Sequence, residues 1–211
     1  ETMDYAADSY ACQSFYIDDP NSKYFGKDIS LNWFSGVPNS DRSAESGMFA
    51  QARTNWNGSG MTIPVELGLN DSFELTQKPI TIDNEDLNKT NVVDIENVEY
   101  SSHDENILKD VSTHIFEAIV EIDNENQTEV IIRINEGEGE YTDIGWNKEE
   151  GYFVDRTHTS SAGIAFNNFG FDNYHVRYAS NAAKNDTKLD FYILSDNGAL
   201  EVFAKGYTIP F

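Results

Sequence analysis

Apolar and polar residues alternate along most of this chain, with the period of a strand and not of a helix. Runs rich in β-branched and aromatic residues fall at residues 9–17, 29–35, 60–69, 92–100, 113–123 and 128–135. More follow at 140–146, 151–155, 174–179, 188–195 and 199–204. In THIFEAIVEID, residues 113–123, the spacing of Ile115, Ala118 or Ile119, and Ile122 imitates a short helix. A strand is the better reading. The turn-like stretch from Asp123 to Gln127 leads into EVIIRIN at 129–135, which predicts a hairpin. Pro20, Pro38, Gly58, Gly60, Gly137, Gly139, Gly151 and Gly198 punctuate the gaps. Many short strands with turns between them predict a sandwich, a barrel or propeller blades.

Composition shifts along the chain. Before residue 70 it is rich in Ser, Gly, Trp and Tyr; from 81 to 110 it is acidic and Asn-rich. After 113 the strand runs become regular, which predicts a boundary at about 70–80. The chain has 211 residues, enough for one large all-β domain or two small ones with a real core.

Charge narrows the choice of partners. Thirty-seven Asp and Glu against 14 Lys and Arg give a formal net charge of −23. Nucleic acid and anionic membrane surfaces both need a basic face, so neither is an expected partner. The chain contains no apolar run of about 18 residues that would span a bilayer. One Cys in the whole chain excludes a disulfide framework and a CxxC metal site. Cys12 lies in the apolar run SYACQSFYI, where a small buried hydrophobe is expected. Five Asn-x-Ser/Thr sequons, at Asn57, Asn70, Asn88, Asn126 and Asn185, point to a secreted, extracellular glycoprotein; the alternative is that Asn simply serves turns at these positions.

Candidate chemistry centres on carboxylates. Glycosidic hydrolysis uses an acid of raised pKa and a second carboxylate roughly 5–9 Å away. Asp18-Asp19-Pro20-Asn21 has the look of a nucleophile loop, and Glu66, Asp155 and Glu201 sit in strand contexts. In a chain with 37 acids, most are solvated surface groups. His103, His114, His158 and His175 show neither HxH nor HExxH spacing, and Ser160-Ser161 has no nucleophile-elbow glycines. No metal site or cofactor is expected. Trp33, Trp56 and Trp146 are candidates either for sugar stacking or for the core.

Several stretches resemble one family when taken together and in order. Tyr10-Ala11-Cys12-Gln13-Ser14-Phe15, then ISLNWFSG at 29–36, then WNGSGMTIPVELGL at 56–69 resemble the last propeller blade of glycoside hydrolase family 32. That family contains invertases, inulinases and levanases. Val65 stands where the family usually has Arg. GYFVDRTHTS at 151–160 and LDFYILSDNGALEVFAKG at 189–206 resemble segments of the family's C-terminal β-sandwich.

The resemblance implies an all-β fold: a propeller-blade-like antiparallel unit at 1–70, then a two-sheet sandwich at 75–211. The expected sandwich core draws on Phe116, Ile119 or Val120, Ile132, Ile134, Phe191, Ile193, Val202 and Phe203. It also implies that the chain covers roughly the last two-fifths of a full enzyme, beginning after the catalytic glutamate. The family's Arg-Asp-Pro and Glu-Cys motifs are both absent here. Asp18-Asp19-Pro20-Asn21-Ser22 imitates its Asn-Asp-Pro-Asn-Gly loop but follows the last-blade strand, so it is read as a turn.

The expected function is the non-catalytic C-terminal portion of a secreted β-fructofuranosidase-type glycosidase. Its carbohydrate partner, sucrose or fructan, is met through the complete enzyme, with Trp33 as the candidate substrate contact. The alternative is a stand-alone carbohydrate-binding or interaction module on the same scaffold; a third reading is a structural secreted glycoprotein. Asp155 and Glu201 are expected to be structural, with Arg156 as a forked partner for a carboxylate. A lone blade exposes apolar strands and an edge. Three remedies are open: packing on missing blades, packing on the sandwich, or burial in an oligomer.

Overall fold

The computed structural model describes residues 3–6, 9–34, 60–81, 93–100, 106–159, 177–196 and 199–211. Its strands form three antiparallel sheets. The first comprises β1 (Ser9–Tyr16), β2 (Asp28–Phe34), β3 (Gly60–Met61), β4 (Val65–Leu69) and β5 (Leu75–Pro79). Its order is β1-β2-β4-β5, with β3 also paired to β2. The second contains β7 (Val130–Ile134), β8 (Thr142–Asn147), β9 (Gly151–Asp155) and β10 (Arg177–Ala179), in the order β10-β9-β8-β7. The third contains β6 (Ile115–Asp123), β11 (Lys188–Asp196), β12 (Ala199–Ala204) and β13 (Ile209–Pro210), in the order β13-β12-β11-β6. The architecture is all-β: a blade-like sheet and a two-sheet sandwich.

The sandwich core follows from strand parity. Ile144 and Trp146 of β8, Tyr152 and Val154 of β9, Leu189, Phe191 and Ile193 of β11, and Val202 and Ala204 of β12 form one buried cluster. Phe116, Ala118, Val120 and Ile122 of β6 close it on one side, and Val130, Ile132 and Ile134 of β7 on the other. Val120, not Ile119, is therefore the inward residue; Ile119 is 63% exposed. The Trp146 indole N–H donates to the carbonyl of Ala183 at 2.8 Å, which satisfies its one polar atom inside the core. Asn147 turns β8 into β9 by accepting from the backbone N–H groups of Glu149 and Glu150 at 2.9 and 2.8 Å. Gly151 completes that turn at φ +77°, where an added Cβ would lie 1.8 Å from the carbonyl oxygen of Ala182.

Several expectations are corrected here. The hairpin between 113–123 and 129–135 does not form: β6 pairs with β11 and β7 with β8, in different sheets. The reason is the corner at Asn124, which is buried. Its N–H donates to Thr187 O at 2.7 Å, towards β11. Its carboxamide donates to Thr128 O and accepts from Thr128 N–H, at 2.8 and 3.1 Å. Those bonds swing the chain from one sheet to the other. Residues 93–100 contain no strand. Asn97 sits at φ +55°, which breaks an extended run, and Val93, Val98 and Tyr100 are exposed. The run at 60–69 is split into β3 and β4, because Pro64 has no N–H to continue the ladder. β5, in the stretch expected to open the sandwich, pairs along β4 from Val65↔Pro79 to Leu69↔Leu75. Cys12 is exposed instead of buried. It lies in the bulged part of β1, next to Ala11 at φ +53°, on a strand at the edge of its sheet.

Phe203 is also corrected. Next to inward Val202, it faces the opposite way and meets the blade. Val65, Tyr192 and Phe203 form a second buried cluster, with Ile63, Leu67, Leu194 and Tyr207 around it. The blade therefore packs on the outer face of the third sheet. Polar bonds cross the same junction. The Gln77 N–H donates to Tyr207 O at 2.9 Å, and Thr81 and Tyr192 share a hydroxyl–hydroxyl bond of 2.8 Å.

Candidate functional site

The junction between blade and sandwich holds the most perturbed carboxylate in the described structure. β12 aims Glu201 at the segment between β3 and β4. Its two oxygens accept the backbone N–H of Ile63 at 2.9 and 3.1 Å. Burial pushes the Glu201 carboxyl up to about 7, Asp4 nearby adds to the rise, and the Ile63 bond opposes it. Leu31, Asn32, Thr62, Ile63, Asp4 and Glu201 line part of a cavity of about 30 Å³. Asn32 Nδ2 donates to Ser9 Oγ at 2.6 Å, while its Oδ1 is buried without a hydrogen-bond partner among the described residues.

A raised carboxylic acid beside a second acid is what a glycosidase uses as its proton donor. Size decides against that role. A cavity of about 30 Å³ admits a single water, whereas ligand pockets run to roughly 300–1,000 Å³. Glu201 is a clasp between the two units.

The other acids singled out in the sequence are separated and structurally engaged. Asp19 Oδ1 accepts from the N–H and the side-chain amide of Asn21, at 2.9 and 3.0 Å, so Asp18 to Asn21 build an exposed turn. Glu66 pairs with Lys27 across β4 and the start of β2. Burial raises the Asp155 carboxyl, yet bonds from Thr157 and Arg177 outweigh it and leave the group below its ordinary value. Thr157 supplies its N–H at 2.9 Å and its hydroxyl at 2.6 Å. Arg177 lies 3.4 Å from Asp155 and 2.6 Å from Glu150, over the ring of Phe153. A forked pair is made by Arg133, whose Nε and Nη2 donate to Asp143 at 2.8 and 2.9 Å. Strand register explains this, since Arg133 stands opposite Asp143 in the β7–β8 ladder.

His158 stacks on Tyr141 with ring centroids 4.6 Å apart, and His114 is exposed. Among the described residues, no three His, Cys, Asp or Glu side chains are grouped to hold a metal. Trp56, His103, His175, Ser160, Ser161, Asn57 and Asn88 lie outside the described residues.

Trp33 stands at the end of β2, opposite Met61 of β3. Register places it on the same face as Leu31, Ile29 and Phe15, and opposite to Val65, which meets the sandwich. Trp33 is 39% exposed, Phe15 48% and Met61 54%. That face of the blade thus carries three large, partly exposed apolar side chains together with buried Ile29, and β1 is the end strand of the sheet among the described residues. Trp146 is core and is no longer a sugar candidate. Sequence reasoning missed Asp4 and Asn32. The only signal for Asn32 was a lone amide inside the apolar run ISLNWF.

A family model described as "Glycosyl hydrolases family 32 C terminal" matches residues 81–209, more than half of the chain. No curated protein matches it. Solved structures share its fold. A sucrose-6-phosphate hydrolase from Lactobacillus gasseri aligns with TM-score 0.63 and 17% identity, over 99% of this chain and 36% of that one. An exo-inulinase from Aspergillus awamori aligns with TM-score 0.61 and 16% identity, over 99% and 38%. A β-fructofuranosidase from Schwanniomyces occidentalis aligns with TM-score 0.60 and 15% identity, over 98% and 41%. The chain thus spans 36–41% of the length of these neighbours. The matched family, the two four-stranded sheets of the sandwich and the blade-like sheet before them agree: the chain belongs to the C-terminal family of glycoside hydrolase family 32.

Proposed function

We propose that this chain is the C-terminal, non-catalytic portion of a secreted β-fructofuranosidase-type glycosidase acting on sucrose or fructans. The observation that carries the reading is the blade. One of its faces is sealed against the sandwich through Val65. The other presents Phe15, Trp33 and Met61 beside β1, the end strand of that sheet among the described residues. An apolar sheet face with an open edge is stable in water only when something covers it. Further blades of the same propeller would cover both. In this reading the sandwich anchors the last blade, and Trp33 stands at the rim of the sugar site, where an indole stacks on a sugar face. The acids of the double displacement come from the preceding blades, because the chain has neither Arg-Asp-Pro nor Glu-Cys.

The test is fructose release from sucrose and inulin by the purified chain, together with the coding sequence 5′ of Glu1. The expected results are no fructose release and an upstream frame encoding Asn-Asp-Pro-Asn-Gly. Fructose release abolished by Asp19→Asn overturns the non-catalytic role.

A second reading is a stand-alone carbohydrate-binding or interaction module, and the sealed junction at Val65, Tyr192 and Phe203 favours it. A start codon directly before Glu1, with a native particle at the 23.8 kDa of a single polypeptide chain plus any glycan, selects that reading over the first.

A further inference from the structure

The three described sequons converge on one end of the molecule. Asn70 lies in the turn between β4 and β5, and the next residue in that turn to face the sandwich, Glu74, pairs with Lys205 at 3.3 Å. The backbone of Lys205 and Gly206 in turn donates to Asp190, at 3.4 and 2.7 Å. Asn185 precedes β11 in the same region. Gln127, the middle residue of the Asn126 sequon, donates its side-chain amide to the carbonyl of Asn185 at 2.9 Å. Asn126 and Asn185 thus sit side by side, on the corner after β6 and the loop before β11.

Their carboxamides are in different states. Asn70 is spent within its own turn. Its Oδ1 accepts from the N–H groups of Ser72 and Glu74, both at 2.9 Å, and its Nδ2 donates to Glu74 Oε2 at 2.8 Å. Asn126 and Asn185 are exposed, and neither side chain has a partner among the described residues. Each has a Thr two residues on, Thr128 and Thr187.

We infer that Asn126 and Asn185 are a paired N-glycan acceptor site at one pole of the sandwich, and that Asn70 is a structural turn residue that stays bare. The reaction joins Nδ2 to the anomeric carbon of a lipid-pyrophosphate-linked oligosaccharide. The lipid pyrophosphate leaves with the electrons of the broken C–O bond, and the amide loses one proton. At Asn126 and Asn185 the sugar projects into solvent and the turn bonds, made by Asn124 and Gln127, are untouched. At Asn70 the sugar would replace a hydrogen of the amide that bridges to Glu74. The inference rests on the secretory part of the function proposed above but not on its fructosidase part.

The experiment expresses the full chain behind a signal peptide in a eukaryotic secretory host. Peptides are mapped after enzymatic deglycosylation, which converts each occupied Asn to Asp. The expected result is conversion at Asn126 and Asn185 and intact Asn70, in the secreted and retained pools alike. Asn126→Gln and Asn185→Gln should each remove one glycan from the intact mass. Asn70→Gln should leave glycan mass unchanged while lowering the melting temperature. Conversion at Asn70, or bare Asn126 and Asn185, overturns the inference. Mapping site by site keeps Asn57 and Asn88 from confounding the result. Fructose assays read the fructosidase proposal separately, so either proposal can fail while the other stands.

Discussion

In the sandwich, apolar side chains meet across two sheets, and Ile144, Trp146 and Tyr152 are wholly buried. In the blade, Val65 is buried against Tyr192 and Phe203, while Phe15 and Met61 on the other face are about half exposed. Both units obey the same two-residue alternation. The difference lies in what each face meets. A sandwich supplies its own second layer. A blade borrows one layer from each neighbour, and in this chain one of the two neighbours is the sandwich itself. Apolar alternation therefore marks which residues want cover without saying which partner gives it.

The sharpest way to break this comparison is through the sandwich core. Trp146→Ala should destabilise the chain by about 3–5 kcal/mol, measured by urea or thermal unfolding. The indole is fully buried, and its loss leaves the carbonyl of Ala183 without the donor at 2.8 Å. A loss below about 1 kcal/mol would mean that the sandwich repacks freely and is not the rigid half.

The junction gives the next largest effect, through pH. Burial pushes the Glu201 carboxyl up to about 7 in the folded chain, against its ordinary 4.5 in the unfolded one. The folded state therefore holds the proton more tightly than the unfolded state between these values. Stability should fall as pH rises from 4.5 to about 7, by up to about 3 kcal/mol, and level off above. Unfolding measured across pH 4 to 8 in the wild-type chain and in Glu201→Gln checks this. The variant keeps the carbonyl acceptor for Ile63 and should lose that slope. An unchanged slope in the variant would place the titrating group elsewhere.

The smallest effect belongs to the outward blade face. Trp33→Ala should cost the isolated chain less than about 3 kcal/mol, the low end for a fully buried aromatic, because Trp33 is 39% exposed. On the function proposed above, the same substitution in a complete enzyme should lower kcat/KM. A loss near 3 kcal/mol in the isolated chain would show that the two faces of the blade are equally buried and would remove the contrast drawn above.

Much of the fold was legible in the residues. β-branched and aromatic runs located most strands, and alternation separated inward Phe191, Ile193 and Val202 from their neighbours. β5 was not legible, because LTQKP has one aliphatic residue and ends in Pro; only pairing along β4 makes it a strand. Of the candidate site, Trp33 and Glu201 were visible as residue types, but not their settings. A Glu between Leu200 and Val202 reads as a solvated strand residue until a second sheet covers it.

By itself, then, the sequence determined the all-β class, most strand positions and the missing catalytic motifs, since these depend on local period and residue identity. Tertiary structure decided the rest: that β6 joins β11 while β7 joins β8, that Phe203 faces the blade, that Cys12 is exposed and that burial raises the Glu201 carboxyl. The physical reason is that a period of two specifies which side of a strand is apolar. It carries no information about which strand lies beside it or which layer closes over it. Those depend on long-range bonds such as Asn124 to Thr187 and Glu201 to Ile63, between residues 63 and 138 positions apart.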